Sequence, residues 1–453
     1  MGTMRTNKKT WITLLIAASL GMVVVGTSGV TSCALLPLQE VTSGGVFSPA
    51  YIPHDAIWID GNAAMVAQAT AESWLGNGSA TAPFLITGYY FDQETQPLRI
   101  WNTDLHWVFA GNEVDGDPTV QCGTWITNCS NGAISNNVFH YRHSGMWLED
   151  LTNFSITDNV VSNNRWHAIE VAGELEKCNI SGNTIESNLG SGIRVTSATD
   201  SAISGNGISD CEGAGIQLLG TATRCEISEN EIHLVASIGI QLGYSTSVSL
   251  QRNRVTNCTG TGIYVVGSNL AIIHNNTVEF SGQNGLRLTN CVLGTVTYNS
   301  VKSCLGMGIL VSSGSNSSLM FNVVENAQGY SLKLDTNAHN MTVSRNSFCQ
   351  CGVNPQICDD GVNNLVVFNH YSEWTSPDEN DDAIVDESYV IDGAAENSDP
   401  YPLTSPDVVP TTPEATSSTT GTTAPFPLGV ALAAGGAAIV IIVGLFFARR
   451  RTI

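Results

Sequence analysis

Between Trp125 and Arg194 the sequence gathers indole rings, carboxylates, imidazoles and guanidinium groups: Trp125, Arg142, His143, Trp147, Glu149, Arg165, Trp166, His167, Glu170 and Arg194. Exposed indoles stack on the apolar faces of pyranoses, while carboxylates and guanidinium groups hydrogen-bond hydroxyls or uronates. This set makes Trp125, Trp147, Glu149, Arg165, Glu170 and Arg194 the ligand-binding candidates. Hydrolysis of a glycosidic bond needs an acid and a base, so Glu149 and Glu170, with His143 or His167 assisting, are the catalytic candidates. The plain alternative is a solvated strand face, which has to carry polar groups whether or not anything binds there.

These residues are placed by a repeat. An Asn followed two residues later by an apolar residue recurs at Asn112, Asn136, Asn159, Asn183, Asn206, Asn230, Asn253, Asn276, Asn299, Asn322, Asn346 and Asn369, at intervals of 23 or 24 residues. A second series keeps the same period: Gly145-Met-Trp-Leu, Gly192-Ile-Arg-Val, Gly215-Ile-Gln-Leu, Gly239-Ile-Gln-Leu and Gly262-Ile-Tyr-Val. A third apolar residue stands three before most anchors, as in Ile156, Ile180, Ile203 and Ile227. Each repeat therefore holds two or three short alternating strands parted by Gly, Asn and Ser turns, with no helical stretch. The expected fold is all-β, a right-handed parallel β-helix over residues 83–371. Twelve such registers at the spacing of hydrogen-bonded strands make a solenoid of roughly 55 Å. The anchor asparagines are expected to stack inside it as a hydrogen-bonded ladder.

Side chains alternate along a strand, so in Gly-Ile-x-Val the x residue points outward and stacks on the x of the next coil. That column places Trp125, Trp147, Glu170 and Arg194 consecutively, followed by Gln217, Gln241, Tyr264, Arg287, Leu310 and Lys333. Glu149 occupies the next outward position beside Trp147.

The cysteines follow the same frame. Cys211, Cys258, Cys304 and Cys351 lie five residues after an anchor in alternate coils, too far apart to bridge and suited to be small buried fillers. Local disulfides are expected between Cys122 and Cys129, and between Cys358 and either Cys349 or Cys351. Zinc at that last trio lacks a nearby fourth ligand. Asp378, Asn380, Asp382 and Asp386 alternate like the oxygen ligands of a calcium loop, and structural Ca²⁺ is one reading. A solvated acidic turn is the other, since Ala383 stands where the loop prefers Gly and Tyr389 where it wants Glu.

The two terminal segments place the body of the chain outside the cell. Arg5, Lys8 and Lys9 precede an apolar run from Trp11 to Val25, so residues 1–32 read as an export signal. Val30-Thr31-Ser32-Cys33 also fits a lipidation site. Residues 33–82 form an N-terminal segment and cap, with a helix near Ala63 to Trp74, and residues 372–403 an acidic C-terminal cap. Residues 404–425 read as a Ser/Thr/Pro stalk, and 426–447 as a membrane helix. The basic tail, 448–453, holds three arginines and stays in the cytoplasm. Eight Asn-x-Ser/Thr sequons, from Asn77 to Asn340, are compatible with glycosylation. With 13% charged residues and a formal net charge of −22, the 453-residue chain repels phosphate backbones, which excludes nucleic acid as a partner.

The blocks at the solenoid ends add a resemblance. His54-Asp-Ala-Ile-Trp-Ile-Asp-Gly-Asn62 and Pro83-Phe-Leu-Ile-Thr-Gly-Tyr89 precede the coils; Asn369-His-Tyr-Ser-Glu-Trp374, Asp386-Glu-Ser-Tyr389 and Asp399-Pro-Tyr-Pro402 follow them. From His54 to Pro402 the chain resembles the NosD-like right-handed β-helix proteins, common on archaeal surfaces. The resemblance implies carbohydrate binding, sugar hydrolysis or, as in the namesake, assistance to copper-site maturation. The nine histidines and the methionines form no copper-like cluster. On the coils no Asp-Asp block resembles that of polygalacturonases, and no clear set of calcium-binding Asp with a catalytic Arg resembles that of pectate lyases. The expectation is therefore a membrane-anchored surface protein that binds an extracellular glycan or a surface protein, with a hydrolase or lyase as the alternative and copper handling as the third.

Overall fold

The computed structural model describes residues 51–92, 96–117 and 122–407. The expected export signal, Cys33, most of the stalk, the membrane helix 426–447 and the basic tail lie outside these residues. Among the described residues no helix is long and apolar enough to cross a membrane.

Three parallel sheets, of 14, 16 and 13 strands, wind around one interior. One coil shows why. Met146–Thr152 lies on the 16-stranded sheet, Ser155–Thr157 on the 13-stranded sheet and Val160–Ser162 on the 14-stranded sheet, after which Ile169–Glu176 returns to the first. The corners are turned by single residues in the left-handed region, here Asn153 (φ 52°), Asp158 (φ 56°) and Asn163 (φ 57°). Asn and Asp adopt that conformation at little cost, which accounts for the Asn-rich spacers. Successive coils sit in register, Ile156 on Ile180, Ile180 on Ile203 and Ile203 on Ile227, and each of these side chains is buried.

The predicted asparagine ladder is present, with one correction: its second member is Asn137, not Asn136. Asn137 is buried, its amide donating to Asn159 Oδ1 at 3.0 Å, whereas Asn136 makes a corner at φ 55°. From Asn137 to Asn369 each Oδ1 accepts from the preceding member's backbone N–H and Nδ2, as Asn230 does from Asn206 at 3.0 and 2.9 Å, while Asn112 Oδ1 accepts from the Tyr89 backbone N–H at 2.9 Å. A ladder of amides ends with donors that need an acceptor. Asp399, fully buried, supplies it: its Oδ2 accepts from the Asn369 backbone N–H at 2.9 Å and from Asn369 Nδ2 at 3.1 Å.

At the front, the helix Gly61–Ala71 buries Met65 and Ala69, ending three residues earlier than expected. At the back, Tyr389–Val390 pairs antiparallel with Ser398–Asp399, and the Tyr389 ring stacks on buried Tyr371 with centroids 3.6 Å apart.

The expected disulfides are not formed; all eleven cysteines among the described residues are free. Cys129 lies near the end of the strand Thr124–Ser130 and Cys122 just before its start, and extended chain of that length exceeds the roughly 7 Å Cα separation a bridge tolerates. Cys349 and Cys358 stand on different sheets, in Ser347–Cys349 and Ile357–Asp359, and Cys351 bonds Ser331. Burial pushes the Cys211 thiol up to about 11 and that of Cys304 to about 12, in keeping with filler roles.

Candidate functional site

The outward column of the 16-stranded sheet is in the register that the spacing predicts. Trp125 pairs with Trp147, Trp147 with Glu170, and Glu170 with Arg194. The column also begins two coils earlier than the repeat reveals, with Trp58 paired to Arg99 and Arg99 to Trp125. A second outward column runs beside it through Asp60, Trp101, Thr127 and Glu149.

These additions build an aromatic platform. The Arg99 guanidinium carbon lies 3.8 Å from the Trp101 ring centroid, 4.6 Å from that of Trp125 and 5.8 Å from that of Trp58. Trp125 meets Trp101 edge-on at 6.4 Å and Trp147 at 6.3 Å. Trp58 is 57% exposed, and none of these indoles except Trp125, bonded at 3.0 Å to Thr127, reaches a side-chain partner through its N–H. Trp101, Trp125 and Trp147 are partly buried against one another on the outer face of the sheet, so they lie outside the interior and leave part of their apolar area within reach of solvent. Where the platform strands end, a depression of about 470 Å³ lined by Asn62, Asn102, Asp104, Asn128, Asp150 and Thr152 adds a polar border.

The charged candidates are less available than their residue types suggest. Glu170 Oε1 accepts from Arg194 Nη1 at 2.9 Å, its side chain is 6% exposed, and Oε2 is buried without a partner. Burial raises its pKa, against the lowering effect of Arg194. His167 is buried, and desolvation, then Arg194 and His143, push its pKa down to about 4. The Ser191 backbone N–H donates to its Nδ1 at 2.8 Å, occupying the lone pair a proton would take. His143 is exposed and stacks on Trp166 at 6.4 Å; Trp166 in turn meets His167 at 4.9 Å. Arg165 is exposed and holds no ion pair, and Glu149 lies near Thr127 Oγ1 at 3.5 Å.

Arg142, grouped in the sequence with the polar and aromatic residues around the outward column, is instead fully buried, its guanidinium donating to the Asp115 carbonyl. It occupies the inward position that Asn164 and Asn188 fill in the next coils, and its backbone N–H bonds Asn164 Oδ1 at 3.0 Å.

In the acidic loop, the oxygens proposed for calcium accept from the loop's own backbone. Asp378 Oδ2 accepts from the Ala383 N–H at 3.2 Å, Asn380 Oδ1 from Asp382 at 3.0 Å and Asp386 Oδ2 from Glu379 at 2.6 Å. Among the described residues no three His, Cys, Asp or Glu side chains are gathered as a metal group.

Three parallel sheets stacked coil on coil define a parallel β-helix protein as a class. The sequence matches the family described as right handed beta helix region over residues 98–233 and 214–370, and the chain belongs to that family. Among curated proteins none matches this sequence. Of solved structures, the A-module of Azotobacter vinelandii mannuronan C-5 epimerase AlgE6 is 11% identical with a TM-score of 0.41, over 67% of this chain and 93% of that one. The periplasmic alginate epimerase AlgG is 14% identical at a TM-score of 0.33, over 72% and 74%. The Dettilon tailspike protein is 15% identical at 0.47, over 62% and 61%. At these identities the likeness is one of fold alone.

Proposed function

We propose that this chain is a glycan-binding β-helix of the NosD-like kind, displayed outside the cell by its C-terminal segment, and that it binds without cleaving. The observation that carries the reading is the platform of Trp58, Trp101, Trp125 and Trp147 around Arg99, an outward apolar surface that the interior does not need. The buried, Arg194-bonded state of Glu170 supports binding over catalysis, because a general acid has to reach the glycosidic oxygen.

The test is a glycan array probed with the full-length protein. Trp147→Ala should weaken the binding found there by roughly 1–3 kcal/mol, about the worth of one stacking surface. Glu149→Gln and Glu170→Gln should change selectivity and release no product. Wild-type cleavage of a polysaccharide that either Gln variant abolishes, with binding retained, would make the protein an enzyme instead. Unchanged glycan binding in Trp147→Ala would return the column to an ordinary solvated face.

Calcium at Asp378, Asn380, Asp382 and Asp386 has its own measurement. A bound ion predicts a lower melting temperature in EDTA than in Ca²⁺, because a ligand that binds only the folded form stabilises it. The backbone hydrogen bonds already accepted by these oxygens favour the other outcome, identical melts.

A further inference from the structure

The outward column continues beyond the platform and ends in a second one. Arg194 pairs with Gln217, Gln217 with Gln241, Gln241 with Tyr264 and Tyr264 with Arg287. The Arg287 guanidinium carbon lies 5.2 Å from the Tyr264 ring centroid, which repeats on a smaller scale the arrangement of Arg99 on Trp125. Arg99 and Arg287 share two further features. Most lysines and arginines among the described residues are ion-paired, yet neither of these two holds a carboxylate. In each the Nε is buried without a hydrogen-bond partner, and next to Arg287 the Thr289 hydroxyl is likewise unpartnered.

Between the platforms the column is polar and already organised. Ser191 Oγ donates to Gln217 Oε1 at 3.0 Å, and Gln217 Nε2 donates to Gln241 Oε1 at 3.1 Å. This leaves a one-directional chain of amides whose outer lone pairs and N–H groups face solvent. Beyond Arg287 the pattern stops, with Leu310 and then Lys333, which is paired to Asp360 at 3.4 Å.

We infer that the glycan site is a track along the column, and that its ligand is a long, uncharged polysaccharide lying parallel to the solenoid axis and touching both platforms. The inference rests on the glycan-binding reading and extends it to a substrate class. From Trp147 to Tyr264 is five coil steps, about 24 Å at the spacing of neighbouring strands. A sugar unit in an extended chain advances by a distance comparable to one coil, so rings and hydroxyls meet the column in step. The net charge of −22 disfavours a polyanion, while two unpaired guanidinium groups seated on rings are suited to donate to neutral hydroxyls.

The experiment titrates the full-length protein with xylan, mannan, β-glucan and galactan, each as polymer and as a size series from the trisaccharide upward. Engaging two linked platforms turns the second contact into an intramolecular one. For at least one series, affinity should therefore rise by about a hundredfold or more once the chain spans both. That step is expected at about six units, one per coil. The double variant Tyr264→Ala, Arg287→Gln should erase it, so that long chains bind no better than short ones. A glycan that binds through Trp147 with the same affinity at every length would overturn the track and leave the binding platform standing. Tighter, salt-sensitive binding of polygalacturonate would overturn the uncharged ligand. No binding by any member of the glycan array would remove the platform and the track together.

Discussion

Ile240→Asp should cost the solenoid about 5 kcal/mol or more, seen as loss of the cooperative unfolding transition or a large fall in its midpoint. Ile240 is fully buried and stacked in register between Ile216 and Ile263. Removing its apolar side chain alone forfeits roughly 1.5–3 kcal/mol of burial. The carboxyl that replaces it finds no polar partner in that stack, so it either ionises in an apolar interior or is held protonated at a raised pKa. The sign of the pH dependence follows. Below about pH 4, the ordinary unfolded value, folded and unfolded forms are both protonated and the penalty is smallest. As pH rises toward the folded pKa the unfolded form alone releases its proton, and the penalty grows by about 1.4 kcal/mol per unit. Ile240→Asn supplies the control, with a similar polar burden and no titration. Equal stability of Ile240→Asp and wild type at pH 7 would contradict the stacked interior.

How much of this was legible depended on how regular the coil was. From Trp147 to Arg287 the strands recur every 23 or 24 residues, and the register of every outward residue followed from counting. The first coils break that count. Trp58 and Arg99 are 41 residues apart because the helix Gly61–Ala71 is inserted between them, and Arg99 to Trp125 spans 26. The strongest part of the platform was missed for that reason, although Ile57–Asp60 and Leu98–Trp101 carry the same in-out alternation as the later strands. The Asn136-Asn137 doublet had the same cause: the even interval favoured Asn136, while an extra corner residue moves the ladder to Asn137. Arg142 was misplaced through its residue type. A guanidinium reads as outward, yet it stands 22 residues before Asn164, at an inward position, where it donates to the Asp115 carbonyl. Residue type likewise suggested reactive glutamates and histidines, whereas burial, invisible to spacing, ties Glu170 to Arg194 and holds His167 neutral.

The asparagine ladder carries the second large effect. Asn230→Ala should destabilise the protein by about 3–5 kcal/mol, because buried donors lose their acceptor and a cavity remains. Asn206 loses the partner of its backbone N–H outright; its Nδ2 keeps Ile180 O at 3.0 Å and Ser204 O at 3.2 Å. On the other side, Ile203 O and Asn253 Oδ1 each lose a donor that stood at 2.9 Å. The ladder also has a direction, and this makes a paired exchange more informative than any deletion. Asn230→Asp keeps the acceptor for Asn206 but turns a carboxylate toward Ile203 O and Asn253 Oδ1, acceptor against acceptor. At the terminus the requirement is reversed. Asp399 Oδ1 accepts from Phe368 and Tyr401 N–H groups, both at 3.0 Å, and Oδ2 from Asn369 and the Tyr371 hydroxyl. Asp399→Asn therefore sets an amide N–H against donors, whichever way the group is turned. Both exchanges should lower the unfolding midpoint in denaturant at pH 7, although each swaps only an oxygen and an amino group. A neutral result at position 230 would mean that the amides do not hold adjacent coils together; at position 399, that the ladder needs no acceptor at its end.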